Sequence, residues 1–562
     1  MPAPSGADLG AALHGLRAAL AQARFPLETA GAAAAREAAR ALSAQLEDYL
    51  IPRVARLESP VLAVVGGSTG AGKSTLVNSL VRAPVSPAGV LRPTTRGPVL
   101  VCHPSDAAWF GGSTLLPGLP RASAPGEGVL QVVSAPSLAP GLALLDAPDI
   151  DSVVARNREV AGELLAAADL WLFVTTAARY ADAVPWGVLR GARDRGTVVA
   201  VVLDRVPPAV REDVAADLGR LLSEQGLPGA PLFVVDESTL DRHGLLPAGQ
   251  VAPIEGYLTE VASNEVRRRG VTRRTLIGAV AAAAATADDL AWVTAEQVSA
   301  AEALAETGRE AYRWAISTVE QQLHAGAVLR GGVYARWRES VASGEVNRAL
   351  RAAQDPTRAR PAPVTPGRAL HAAIATAVAA LLVEVETLAA AAVVDRWRED
   401  PVGRTLLLQE SADIDAGPAA MAAGHLVRDW QAWLRQEARA GASSVRTRTR
   451  GTATAATVLL ATVAAIAPTD DPALHATGAS AQPAAVDALR RVLATEPVAR
   501  LGERARAELF TRIEEHLTAS ARRWRDRVDR LGIDERMVAH LRSVAAEVGV
   551  ARQLTHGLGR AA

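Results

Sequence analysis

The stretch Val61-Leu62-Ala63-Val64-Val65-Gly66-Gly67-Ser68-Thr69-Gly70-Ala71-Gly72-Lys73-Ser74-Thr75-Leu76-Val77-Asn78-Ser79-Leu80-Val81 decides how the rest of the chain is read. Its first residues, Val61–Val65, are a short apolar run that reads as a buried strand. Gly67 to Ser74 then spell G-x-x-x-x-G-K-S, the loop that wraps the phosphates of a nucleotide, and Thr75–Val81 read as the first turns of a helix. The glycines let backbone N–H groups close around the β-phosphate, and the helix N-terminus adds positive potential. The expected phosphate contacts are Gly67, Ser68, Thr69, Gly70, Ala71, Gly72, Lys73, Ser74 and Thr75. Lys73 reaches the β- and γ-phosphates, and the Ser74 hydroxyl ligates Mg2+. The bland alternative, a chance glycine-rich turn, would not come with both a strand before it and a helix after it.

Composition narrows the class. The chain has 562 residues, 49% of them hydrophobic and 21% charged, enough for a substantial packed core. Lys+Arg and Asp+Glu are both 60, so nothing global argues for nucleic acid as a partner. The single cysteine, Cys102, excludes a disulfide within the chain and argues against a cysteine-based metal site. The 10 histidines form no H-x-x-x-H or H-E-x-x-H pair, and no G-x-S-x-G supports a serine hydrolase. Met1–Gly10 shows no basic segment followed by an apolar one, so the expected location is cytoplasmic.

Working outward, three regions differ in pattern. Residues 1–58 read as an N-terminal helical segment, with Leu9, Leu13, Leu16 and Leu20 at helical spacing and Pro26 dividing two helices. Residues 59–255 alternate short apolar runs with helical stretches, the signature of an α/β P-loop domain with a mainly parallel sheet. Strands are expected at Val61–Val65, Val99–His103, Leu130–Val133, Leu142–Leu145, Leu170–Thr175, Val198–Leu203 and Leu232–Val235. Helices are expected over Ser74–Val81, Val153–Ala168, Trp186–Arg195 and Ala209–Gln225. Residues 256–562 read as a large all-helical, stalk-like region broken by turn clusters. Within it, Thr275–Ala287 is uncharged but too short to span a bilayer at 13 residues. Gly451–Pro468 has 18 residues without a charge, and Arg446, Arg448 and Arg450 precede it. That pattern fits a core helix, and it also fits a segment touching the inner face of a membrane.

Two further elements follow the phosphate loop in order. Leu91-Arg92-Pro93-Thr94-Thr95-Arg96 lies between the first helix and the next strand. A threonine at that position of a switch-type triphosphatase places its hydroxyl on Mg2+ and its carbonyl near the attacking water, and Thr94 and Thr95 are both candidates. Then Leu142-Ala143-Leu144-Leu145-Asp146-Ala147-Pro148-Asp149 is an apolar strand ending in a carboxylate, and Asp146 is placed to hold the ion. The candidate metal set is thus Ser74, Thr95 and Asp146.

G-x-x-x-x-G-K-S-T-L-x-N, then R-P-T-T, then L-L-D-A-P, resembles the dynamin-like branch of the large GTPases, in particular bacterial dynamin-like and related actinobacterial GTPase-domain proteins. The motifs cover roughly residues 60–240. The resemblance implies GTP as substrate, Mg2+, slow hydrolysis stimulated by self-assembly into a homo-oligomer, and work at a lipid surface. It also implies that groups within the phosphate loop position water. The matching places are Thr69 and Gly70, so the expected catalytic set is Lys73, Thr69, Thr94 and Thr95.

Three departures bear on this. Asp149 stands where D-x-x-G has its glycine. After the strand Val198–Leu203 the guanine motif N/T-K-x-D is replaced by Asp204-Arg205-Val206-Pro207. Asp204 and Arg205 remain the base-contacting candidates, with backbone support from Asp236-Glu237-Ser238. The Gln/Ser pair of dynamin phosphate loops is absent, so a partner's arginine, or Arg96, is a candidate for charge stabilisation. The expected activity is a Mg-dependent, slow GTPase that couples nucleotide state to self-assembly or membrane contact. A P-loop ATPase, and a nucleotide-dependent scaffold with little turnover, are the alternatives.

Overall fold

The structure, a computed structural model, describes residues 6–55, 59–87, 97–112, 116, 118–124, 126, 128–150, 155–355, 367–409, 416–441, 447–468 and 483–557. It divides into two compact units. The first comprises Met1–Phe25, Ala30–Glu296 and Asp534–Ala562, and the second Pro26–Thr29 and Gln297–Ile533.

The first unit is built on one sheet of β1 (Val61–Gly67), β2 (Val99–Cys102), β3 (Arg121–Ala122), β4 (Leu130–Ser134), β5 (Leu142–Asp146), β6 (Leu170–Thr176), β7 (Val198–Val206) and β8 (Leu232–Asp236). Their order is β3-β4-β2-β5-β1-β6-β7-β8. All pairings are parallel except β2 with β5. Every residue of β1, β5 and β6 is buried, as parallel strands covered on both faces require. Alternation along β1 supplies both cores: Leu62 and Val64 enter one, and Val61, Ala63 and Val65 enter the other. The seven expected strands are all present, and β3 is an addition of two residues.

The leucine stripe of the first helix, Gly6–Gln22, packs against the helix Arg536–Gly557 near the other end of the chain. Leu9, Leu13, Leu16 and Leu20 share one core with Leu541, Val544 and Val548. Residues 265–296 of the long helix Glu265–His324 also lie in this unit, with Leu276, Val280, Ala283 and Leu290 in the same core. No strand follows β8 among the described residues, whereas the apolar core of the first unit continues past residue 256.

The second unit is helical. Its core holds Trp337, Trp397 and Trp430, all fully buried, and each indole N–H has an acceptor. Trp337 donates to the Ala485 carbonyl at 3.1 Å, Trp397 to Thr307 Oγ1 at 2.7 Å and Trp430 to the Ala505 carbonyl at 2.8 Å. Buried indoles need such partners to avoid a desolvation cost. The apolar segment Gly451–Pro468 is a core helix here: Leu459 to Ala467 are buried along their whole length. Arg506 donates to the carbonyls of Ala464 and Ala465 at its C-terminal end, at 3.0 and 2.9 Å. Two other helices, Glu265–His324 and Arg368–Glu399, are long and apolar enough to cross a membrane, a test that core helices of soluble proteins also pass.

A buried ion pair fixes the N-terminal helices to the N-terminal ends of the central strands β1 and β6 in the first unit. Arg53 pairs with Asp169, the residue before β6. Asp169 also accepts from Tyr49 Oη at 3.0 Å and from the Leu62 N–H at 2.8 Å. Arg53 reaches the Pro60 carbonyl and Thr272 Oγ1, each at 3.3 Å. Removing one partner strands the other charge in the interior. Asp169→Ala should lower stability in urea by about 3–5 kcal/mol, and pairing it with Arg53→Met should recover much of that loss. A double variant no more stable than the single one would refute the role of the pair.

Candidate functional site

The C-terminal end of β1 delivers the phosphate loop, and its neighbours deliver the rest of the site. Val65 pairs with Asp146 of β5, and Gly67 with Val174 of β6. The strands approach so closely that a Cβ on Gly67 would lie 2.1 Å from the Val174 carbonyl oxygen. Gly72 is left-handed at φ +94°, and a Cβ there would lie 2.3 Å from Asp204 Oδ2. Only glycine fits either place.

Lys73 opens the helix Lys73–Val81 and is buried. Its ammonium donates to the Gly67 carbonyl at 2.9 Å and the Ser68 carbonyl at 3.0 Å, and it pairs with the Asp149 carboxylate. Ser74 Oγ donates to Asp146 Oδ2 at 2.6 Å, so the two metal-ligand candidates among the described residues are in contact. Thr94, Thr95 and Arg96 lie outside the described residues.

Asp146 is completely buried, and its Oδ1 has no hydrogen-bond partner. Burial pushes its pKa up, against the hydrogen bonds from Ser74 and Ser86 and the nearby Lys73 charge, which pull it down. A fully buried carboxylate oxygen with nothing to accept from is costly unless a cation meets it. The donor set of one carboxylate and one hydroxyl also suits Mg2+, which keeps most of its waters. Among the described residues there is no cluster of three or more His, Cys, Asp or Glu, so a metal site richer in such ligands is not built here.

The structure adds residues that the sequence reading did not single out. Asn78 clasps Ser86 from both sides: Nδ2 donates to the Ser86 carbonyl at 2.8 Å, and Oδ1 accepts the Ser86 N–H at 2.8 Å. Ser86 Oγ in turn donates to Asp146 Oδ2 at 2.5 Å. The asparagine of G-K-S-T-L-x-N thus holds the start of the segment leading to Thr94 and Thr95. Arg179, in the turn after β6, donates from Nη1 to the Thr69 carbonyl at 3.0 Å and from Nε to Asp182 at 2.8 Å. That turn is braced by Trp186 Nε1 to the Tyr180 carbonyl at 2.9 Å and by Tyr180 Oη to Asp217 at 2.8 Å. Ser68 Oγ, buried in the phosphate loop, has no partner.

Asp204 and Arg205 sit at the end of β7. The Asp204 carboxylate faces the phosphate loop at Gly72, and its Oδ1 accepts the Arg205 N–H at 2.9 Å. Arg205 has φ +54°, and its side chain is about half exposed. The adjoining strand end carries Asp236, held by Arg211 at 2.6 Å, while Asp236 Oδ1 and Ser238 Oγ are buried without partners.

No model of a known protein family matches the chain, and no curated protein does. Among solved structures, the chain is similar to two from an oligomerised bacterial dynamin pair, described as providing a mechanism for long-range sensing and tethering of membranes. One match covers 97% of this chain and 94% of the other at 10% identity with a TM-score of 0.39; the second covers 92% and 94% at 10% identity and 0.39. These belong to the family whose motifs the sequence resembles. A likeness of that extent carries no argument about activity, which rests on the residues above.

Burial raises the Asp204 pKa from 3.8 to about 6. The folded chain therefore keeps a proton there that the unfolded chain has released between about pH 4 and 6. The resulting stabilisation is complete below the unfolded value and is lost as the pH rises through about 6. Asp204→Asn should gain about 2–3 kcal/mol relative to the parent at pH 7.5 and nothing at pH 3.5, measured by urea unfolding without nucleotide. A pH-independent difference would refute this.

Proposed function

We propose that the chain is a Mg2+-dependent nucleoside triphosphatase with GTP as its substrate, slow on its own, whose nucleotide state is coupled to self-association or to contact with a lipid surface. The observation that carries the reading is the contact of Ser74 Oγ with Asp146 Oδ2 while Asp146 Oδ1 stays buried without a partner, directly beside a phosphate loop with its glycines and Lys73 in place. Ser74 and Asp146 hold Mg2+, which supplies charge neutralisation at the phosphates. Backbone N–H groups of Gly67 to Ser74 cradle the phosphates, and Lys73 binds the oxygens at the β,γ bridge. In this reading Ser68 Oγ and Thr69 are the groups that orient water, and Thr94 or Thr95 is assigned as the further metal ligand. Arg179 keeps the Thr69 carbonyl in place. Asp204 and Arg205 line the base end, and Asp236–Ser238 supply polar groups there. The guanine choice rests on the resemblance to the dynamin-like GTPases, since the base motif itself is replaced, and the proposed location is cytoplasmic, at the inner face of the cell membrane when lipid is bound.

Support for lipid contact comes from the second unit, where Leu408 and Met421 are 83% and 66% exposed. Two exposed apolar side chains do not by themselves make a patch, and lipid contact at Leu408 and Met421 is the assignment that vesicle flotation decides.

Calorimetry with Mg2+ should show GTP bound, and ATP competing at least about tenfold more weakly. Lys73→Ala should weaken GTP by about a hundredfold or more, and Asp146→Asn should abolish the dependence of affinity on Mg2+. Preference for ATP would replace the substrate, and full affinity in Lys73→Ala would remove the site. In flotation with anionic vesicles, the parent chain should rise with the lipid and Leu408→Asp/Met421→Asp should stay behind. Equal flotation of the two would move lipid contact elsewhere.

A further inference from the structure

The nucleotide-binding reading leaves Asp149 unexplained, because a glycine N–H facing the γ-phosphate is the usual occupant of that place. Its carboxylate is ion-paired with Lys73, whose other two ammonium protons go to the Gly67 and Ser68 carbonyls at 2.9 and 3.0 Å. An ammonium has three donors, so the loop lysine is fully committed within the chain. The pair is not a dangling surface contact. Ala147 N–H donates to the Val65 carbonyl at 3.1 Å, and Ile150, on the far side of Asp149, is buried. The Asp149 side chain itself is 25% exposed, so it borders the open side of the site, whereas the lysine is 6% exposed.

A carboxylate on this ammonium offers what a terminal phosphoryl group offers, negative charge and acceptor oxygens. A β-phosphate is taken up mainly by backbone N–H groups of the loop, which this ion pair leaves untouched. A γ-phosphate needs the ammonium face that Asp149 holds, and it brings its charge next to the Asp149 carboxylate. Two like charges competing for one ammonium in a partly buried site repel each other.

We propose that Asp149 is a specificity-determining residue that stands in for the γ-phosphate and makes the site select nucleoside diphosphate over triphosphate. The proposal rests on the nucleotide-binding reading above. It gives the chain a diphosphate-retaining ground state, which triphosphate enters only by displacing Asp149 from Lys73.

The test is a pair of dissociation constants, for fluorescent GDP and a fluorescent non-hydrolysable GTP analogue with Mg2+, on the full chain. The parent should prefer the diphosphate. Asp149→Asn and Asp149→Gly should shift the ratio towards the triphosphate by about tenfold or more, with the diphosphate affinity changing less. Asp149→Glu, which keeps the charge, should stay near the parent ratio. Thermal unfolding identifies which variants are folded, and either neutral variant suffices. A parent that prefers triphosphate, or an unchanged ratio in a folded neutral variant, overturns the proposal and leaves nucleotide binding standing. Failure of the parent and all variants to bind either nucleotide overturns the underlying reading itself.

Discussion

A fully buried carboxylate with one oxygen unsatisfied is the constraint on which this structure turns. Asp146 ends a strand whose five residues are all buried, and taking a charged group that far from water costs several kcal/mol unless a partner returns it. Two hydroxyls, from Ser74 and Ser86, meet one of its oxygens. Those contacts bind three separate pieces of chain to the end of the sheet: the phosphate loop, the segment after its helix, and β5. The Asn78 clasp on Ser86 belongs to the same arrangement, since it fixes the hydroxyl that reaches Asp146. The geometry of the loop is therefore maintained by the same carboxylate whose other oxygen is left without a hydrogen-bond partner.

The contrast with Asp169 shows how one residue type serves two ends. Asp169 lies at the start of β6 and is equally buried, but Arg53, Tyr49 and a backbone N–H together satisfy both of its oxygens. It has no capacity left for a ligand and acts as a fastening. Asp146, at the opposite ends of the strands, keeps an oxygen free. In open parallel sheets ligands gather beyond the carboxyl ends of the strands, and the distribution of satisfied and unsatisfied carboxylates here follows that rule.

Much of the fold is legible in the sequence because the central strands are covered on both faces and read as unbroken apolar runs. Leu170–Thr175 and Val198–Leu203 need no alternation to be seen. The edge is harder: β3 is Arg121–Ala122, too short for any periodicity. The helix Ala183–Asp194 starts before Pro185, because proline is tolerated in a first turn where its missing N–H has no acceptor to lose. The stretch from 484 to 530 is two helices, parted at Ala494–Thr495 with Pro497 in the first turn of the second. The site divides in the same way. The glycines, Lys73, Ser74 and Asp146 follow from local motif and order. Ser86, Arg179 and the partner of Asp149 depend on side chains meeting across the fold, and no spacing in a single sequence encodes such meetings. The packing of Gly6–Gln22 on Arg536–Gly557 is hidden for the same reason.

Charge at the phosphate end leads to a last step. Lys73 and Arg179 bring two cations to the loop, and Arg205 stands at its base side, but Asp146, Asp149 and Asp204 bring as many carboxylates. Burial holds Asp204 near pKa 6, which lightens the negative side only in mild acid. At neutral pH the protein alone has no surplus of positive charge with which to hold a triphosphate. On the proposed reading, a dication on Asp146 and Ser74 would reverse that balance, and moving Asp149 off Lys73 would reverse it further. Affinity for a polyanion would then be set by the metal and by the Asp149 carboxylate more than by the number of basic residues. This accords with a chain whose 60 basic and 60 acidic residues give no net charge to steer phosphate from a distance.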